Sequence, residues 1–164
     1  MSALIAEAQA DVLAERAHHA DGSWGIIDPT TKVNLWPALF KKEMEFERAF
    51  VAAGGLLLAG SDPTGPGGNL AGFGNQREVE LLVEAGFSAV EAIQICTLNG
   101  ARFLGEDARI GSIAAGKQAD LVVVRGNPAK AIADIEQVEL VFKDGVGYDP
   151  AKLVASVRGM VGLQ

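Results

Sequence analysis

The chain has 164 residues, 49% of them hydrophobic and 21% charged, with a formal net charge of -7. That length suits one domain or one and a fraction, and the apolar share supports a packed core and excludes a disordered tail. The acidic balance lacks a Lys/Arg cluster and argues against a nucleic-acid partner, while no apolar run approaches the ~20 residues of a membrane helix.

Residues 2–17 contain no Gly or Pro, and Leu4, Ile5, Ala8, Val12 and Leu13 recur at helical spacing. Residues 18–35 turn to Gly, Asp, Pro and Thr and read as a long loop. A second helix opens with Asn34 as its cap and Pro37 in its first turn, where a missing N–H costs little. It places Phe40, Met44 and Phe50 on one side and stops at Gly54-Gly55. The apolar run over 54–61 that follows reads as a strand buried on both faces, as in a parallel sheet, and it closes on Asp62. An acid at the carboxyl end of such a strand stands where parallel α/β enzymes build their active sites. Asp before Pro also opens turns through its own side chain, and composition leaves both readings of Asp62 open.

A Gly-rich loop spans 64–74. Asn75 with Glu78 has the spacing of a capping box and opens a helix that runs to Ala85 and ends at Gly86. Ser88 with Glu91 repeats the signature, and 97–104 form a short helical segment. Helix, strand, loop and helix in that order give an α/β unit with a parallel sheet. Past Glu106 the texture changes. Segments 110–113, 120–124 and 138–142 are short and β-branched, and Asp144-Gly145 is a hairpin turn whose central residues tolerate positive φ. Asp149-Pro150 caps a last helix through Arg158. The division is 1–105, 106–148 and 149–164.

The order of these motifs carries a resemblance. Leu58-Ala59-Gly60-Ser61-Asp62 is followed by Val83-Glu84-Ala85-Gly86-Phe87, Glu91-Ala92-Ile93 and Thr97-Leu98-Asn99-Gly100-Ala101. Then come Ile110-Gly111-Ser112-Ile113 with Lys117-Gln118-Ala119-Asp120-Leu121-Val122-Val123, and Val141-Phe142-Lys143-Asp144-Gly145. Across about 50–148 the series resembles the C-terminal end of the metal-dependent amidohydrolase superfamily, in its imidazolonepropionase- and prolidase-like branch. The resemblance implies an α/β fold: the last βα portion of a (β/α)8 barrel over 1–105, part of a small β-sandwich over 106–148, and a C-terminal helix over 149–164. It implies hydrolysis of an amide, cyclic amide or dipeptide C–N bond by metal-activated water, with zinc as the usual metal. It implies Asp62 as metal ligand and general base, matching the Asp that ends the family's last barrel strand.

The family's histidine ligands have no counterpart here. The chain holds only His18 and His19, with no His-x-His pair. Neighbours on a helix or strand point in different directions and share one metal poorly, so these two read as a helix end. A full barrel takes ~250 residues, so the chain is expected to be the C-terminal third of such an enzyme, without a complete metal site of its own. The expected partners are a small amide or peptide substrate and either a second copy or a complementary N-terminal barrel segment. The alternative is a non-catalytic structural fragment or split-enzyme subunit. With no secretory leader and a lone Cys96, the default compartment is the cytoplasm.

Other candidates weigh less. Gly65-Pro66-Gly67-Gly68 lacks the Gly-Lys-Ser/Thr ending of a phosphate loop and the spacing of a dinucleotide fingerprint. As a loop after the last strand it offers Asn69, Phe73 and Arg77 as substrate contacts. Cys96, beside Ile93 and Ile95, reads as buried and inert. Trp24, Trp36 and Phe40 suit local packing better than a binding patch.

Overall fold

The computed structural model describes residues 30, 36–61 and 74–158. Its elements are α1 (Trp36–Ala52), α2 (Gly74–Glu84), α3 (Ala89–Gln94), a π-helical turn (Ile95–Asn99), α4 (Gly100–Phe103), β1 (Leu121–Val124), a 3-10 turn (Ile132–Glu136), β2 (Val138–Lys143), β3 (Val146–Tyr148) and α5 (Pro150–Ser156). The helix expected over 2–17 lies outside the described residues, as does all of the 18–35 loop except Thr30.

The core is helical and small. Val79 and Leu82 from α2 meet Phe87, Ala92 and Ile95, with Val83, Ile93 and Cys96 packed around them. Val79, Leu82 and Val83 are three and four residues apart, so they form one stripe of α2. The box expected at α3 is present: the Ser88 hydroxyl accepts from the Glu91 N–H at 3.3 Å, and the Glu91 carboxylate accepts from the Ser88 N–H at 2.8 Å. Helix α1 contributes Val51 to the core. Its Arg48 also donates to the Gly86 carbonyl at 2.5 Å. The aromatic side of α1 stays exposed, with Phe46 and Phe50 stacked on each other at 6.4 Å.

The second half holds the hairpin expected from Asp144-Gly145. The sheet runs β1-β2-β3, antiparallel throughout, with Leu121 opposite Phe142 and Val141 opposite Tyr148. Asp144 and Gly145 take φ of 52° and 78°, the conformation that matches strand twist in a two-residue turn. Asp120 ties this turn to β1. One carboxylate oxygen accepts from the Asp144 N–H at 2.7 Å and the other pairs with Lys143 at 2.6 Å. Asp149 caps α5 through the N–H groups of Ala151 and Lys152.

Three expectations are corrected. The run over 55–61 takes no regular secondary structure and pairs with no strand among the described residues, and it is not buried on both faces. Leu57 and Ala59 pack inward, while Leu56 and Leu58 are 40% and 38% exposed. That alternation is the period-2 signature of a strand covered on one side. Asn75 does not precede its helix: α2 starts at Gly74, so Asn75 sits inside the first turn and its amide bonds Ser61 instead. Residues 110–113 are bends and coil, not strand. Gly111 lies against the helical layer, close enough that an added Cβ would stand 2.5 Å from that of Ala101. Lys117 holds the segment there, donating to the Ser112 hydroxyl at 2.6 Å. The described residues therefore contain one antiparallel sheet and no parallel pair.

Candidate functional site

The candidate site is built on the carboxyl end of the 55–61 segment. Three contacts fix this stretch. Its inward side chains, Leu57 and Ala59, enter the helical core. The Asn99 side-chain amide donates to the Leu57 carbonyl at 2.9 Å. At the far end, the Ser61 hydroxyl donates to the Asn75 amide oxygen at 2.8 Å, joining the segment to the first turn of α2. The Asn99 bond satisfies a backbone carbonyl that has no strand partner among the described residues, while the Ser61–Asn75 bond joins two side chains.

Beside Ser61 opens a cavity of about 950 Å³, walled by Ala59, Gln76, Val79, Cys96, Leu121 and Val124 among others. Its walls are mainly apolar, with Ser61, Gln76, Glu78, Thr97 and Asp120 among the polar residues that line it. Burial pushes the Glu78 carboxyl upward. Burial, and then the nearby Glu78 charge, pushes the Cys96 thiol up to about 11. At neutral pH this thiol is protonated and a poor nucleophile, in keeping with the inert reading. The Gln76 amide oxygen is buried without a hydrogen-bond partner.

The sequence candidates fall in different places. Asp62 follows Ser61 directly but lies outside the described residues, as do Asn69, Phe73, His18 and His19. Arg77 is on the outer side of α2, half exposed, with its guanidinium bonded to Glu84 at 2.6 Å and Glu80 at 3.1 Å. The hydrogen bond from Arg77 holds the Glu84 carboxyl below the usual carboxylate range. Zinc takes Cys, His and carboxylate ligands, and no three His, Cys, Asp or Glu side chains converge among the described residues. These residues do not by themselves fit a metal.

Sequence reading missed Asn99 as a functional candidate. It is the buried polar side chain among the described residues, 7% exposed. The available signal was its position between Ile95 and Ala101 on a buried helical face, where an amide persists only with partners.

Residues 45–147 match the model of the Amidohydrolase family. A 5-methylthioadenosine/S-adenosylhomocysteine deaminase of Moorella thermoacetica is 32% identical over 118 residues, covering 68% of this chain and 25% of the deaminase. The structure of phenylurea hydrolase B superimposes with a TM-score of 0.56 at 28% identity, covering 64% of this chain and 26% of that one. A prolidase complexed with N-methylphosphonate-L-proline gives 0.54 at 26% identity, covering 66% and 26%. The chain thus spans about a quarter of the length of each of these proteins.

Proposed function

The chain belongs to the amidohydrolase family, and from that premise we propose that it forms part of a hydrolase that cleaves C–N bonds with metal-activated water. The observation that carries the reading is the match over 45–147 together with the anchored 55–61 segment, which runs directly into Asp62. The deaminase, the phenylurea hydrolase and the prolidase share attack on a carbon–nitrogen bond. An amide, cyclic amide or dipeptide is the corresponding substrate class.

In this reading Asp62 is a metal ligand and the general base. A divalent ion, held by Asp62 together with ligands from a complementary polypeptide, would supply an activated water, and the Asp62 carboxylate would hold and relay a proton there. Asn69, Phe73 and Arg77 are assigned to the substrate pocket. For Arg77 this means leaving Glu80 and Glu84, exposed ion pairs that solvent screens. The histidine ligands come from a complementary polypeptide that carries the earlier barrel strands. The (β/α)8 barrel and the β-sandwich belong to that combined assembly.

The test is reconstitution. The chain mixed with such a polypeptide should hydrolyse amide substrates in a zinc-dependent manner, and Asp62→Asn should abolish this with the circular dichroism spectrum unchanged. Full activity in the Asp62→Asn mixture removes the assignment.

A second reading treats the chain as a non-catalytic interaction fragment, and the outward-facing Leu56 and Leu58 favour it. Mixing then yields a complex with neither metal binding nor turnover.

A further inference from the structure

We infer that the face between α1 and α2 is a proton-operated clasp: when the Glu43, Glu47 and Glu78 carboxylates take up a proton, the N-terminal half of α1 closes onto α2. The device does not depend on the hydrolytic role of Asp62.

The two helices meet along stripes of mixed make-up. Phe40, Glu43, Met44, Glu47 and Val51 stand at i, i+3, i+4, i+7 and i+11, which is one stripe of α1. Glu78, Leu81 and Leu82 form a stripe of α2 in the same way. A stripe that faces another helix is ordinarily apolar. Here carboxylates interrupt both stripes, and they are not simply turned out to solvent. Glu47 and Glu78 are half-buried, as Met44 and Leu81 are, while Glu43 is exposed.

Between the stripes lies a gap of about 190 Å³, walled by Phe40, Glu43, Met44 and Glu47 on one side and by Glu78 and Leu81 on the other. That is several times the ~30 Å³ of one water, so this half of the interface is not packed to interior density. The C-terminal half of α1 is held differently. Val51 enters the core, Arg48 donates to the Gly86 carbonyl, and the chain turns away at Gly54, whose φ is 89°. Helix α1 thus has a fixed end and a lever end. Glu47 stands where the two meet, with Glu43 one turn out along the lever.

The charges oppose closure. Glu43 and Glu47 are four residues apart on one helix, a like-charge pair that repels. Glu47 also faces Glu78 across the gap. Burial, and then the Glu43 and Glu78 charges, pushes the Glu47 carboxyl upward, and burial pushes Glu78 the same way. The neighbouring cations are engaged elsewhere. Lys42 pairs with Glu45, on which Lys41 also acts, and Arg77 pairs with Glu80 and Glu84. Arg48 is on the Gly86 carbonyl, near Glu91, which is itself held in the Ser88 cap. From the π-helical turn, Cys96 feels the Glu78 charge and keeps its own proton at neutral pH, so it contributes no charge.

Closing the gap takes these acids further from water, which raises their affinity for a proton. By linkage, a proton bound at the gap favours closure. The closed form carries the raised carboxyl values, so closure strengthens as pH falls through them and weakens again as pH rises. Each proton taken up shifts the closure equilibrium by at most about tenfold per pH unit.

The experiment titrates the full chain by NMR, with carbon-13 in its methyl groups and side-chain carboxyls, from neutral pH into the carboxylate range. The Met44 and Leu81 methyl signals, which sense the Phe40 ring in the same gap, report closure. The Glu43, Glu47 and Glu78 carboxyl carbons report the proton. Methyl and Glu47 carboxyl signals should titrate together, above the ordinary carboxylate range, while the signals of β1 to β3 stay fixed. Glu47→Gln should hold the acid-form methyl positions at neutral pH, and Glu78→Gln should move them part of the way. Glu45→Gln removes a carboxylate that pairs with Lys42 outside the gap and should leave the native profile unchanged. Methyl signals that do not titrate, or that titrate unchanged in Glu47→Gln, overturn the inference. Sheet signals that move with the same midpoint overturn it too, because the event would then be a loosening of the whole fold.

Discussion

Gly111 and Gly116 allow the packing account to be tested with an internal control. Both have left-handed backbones, with φ of 83° and 86°. Alanine at either position carries the same strain, ~1–2 kcal/mol for an L residue in that region. Their surroundings differ completely. A Cβ at Gly116 meets nothing within 4 Å, whereas at Gly111 it would lie 2.5 Å from the Ala101 Cβ and 3.1 Å from the Leu98 Cα. Neither contact is the end of a flexible side chain, and Ala101 is only 3% exposed, so the helical layer itself has to move. Overpacking of this kind adds ~1–3 kcal/mol. Gly116→Ala should then cost ~1–2 kcal/mol and Gly111→Ala ~2–5 kcal/mol. With a urea m-value near ~2 kcal/mol/M for a small domain, the unfolding midpoints of the two variants should differ by about 0.5–1.5 M. Equal midpoints would refute the claim that Gly111 is there to let the 110–113 segment dock on the π-turn.

Leu82→Ala removes one of five clustered core side chains and should destabilise the chain by ~2–5 kcal/mol in urea, among the largest effects of any single truncation here. Cys96 should react with iodoacetamide at pH 8 about a hundredfold more slowly in the folded chain than in urea, since its thiol is pushed up from 9.0 to about 11. Because the folded thiol keeps its proton where the unfolded one has lost it, stability should fall as pH rises between those two values. Glu78→Gln should raise the urea midpoint at pH 7, where burial penalises the native carboxylate. Its folded pKa is raised, so the penalty disappears as pH falls through that value, and the two proteins should converge in acid.

Much of this fold was legible from local chemistry. The Ser88–Glu91 box, the Asp144-Gly145 turn and the Asp149 cap are decided by residues within four positions of each other, and all three are present. The misreadings came where distant partners decide. Leu56 and Leu58 look like a strand interior by composition, yet a strand's two-sided burial requires neighbours that 55–61 does not have among the described residues. Ile110 and Ile113 carry β-branched side chains, but Gly111 docks on Ala101 and Lys117 pins the segment, so tertiary contact overrides propensity. Asn75 has cap chemistry that Ser61, fourteen residues earlier, claims instead. The motif order pointed to the family, and the match over 45–147 agrees. The Asn99 bond to the Leu57 carbonyl was not legible because its acceptor lies forty-two residues away, and no local pattern encodes that distance.

The central claim is that this chain supplies Asp62 to a hydrolytic metal site completed by other polypeptide. Zinc content by elemental mass spectrometry, after exhaustive dialysis, tests it most directly. The chain alone should retain less than stoichiometric zinc, its mixture with a polypeptide carrying the earlier barrel strands should retain it, and Asp62→Ala should lose it again. Zinc retained by the mixture regardless of Asp62→Ala would contradict the account.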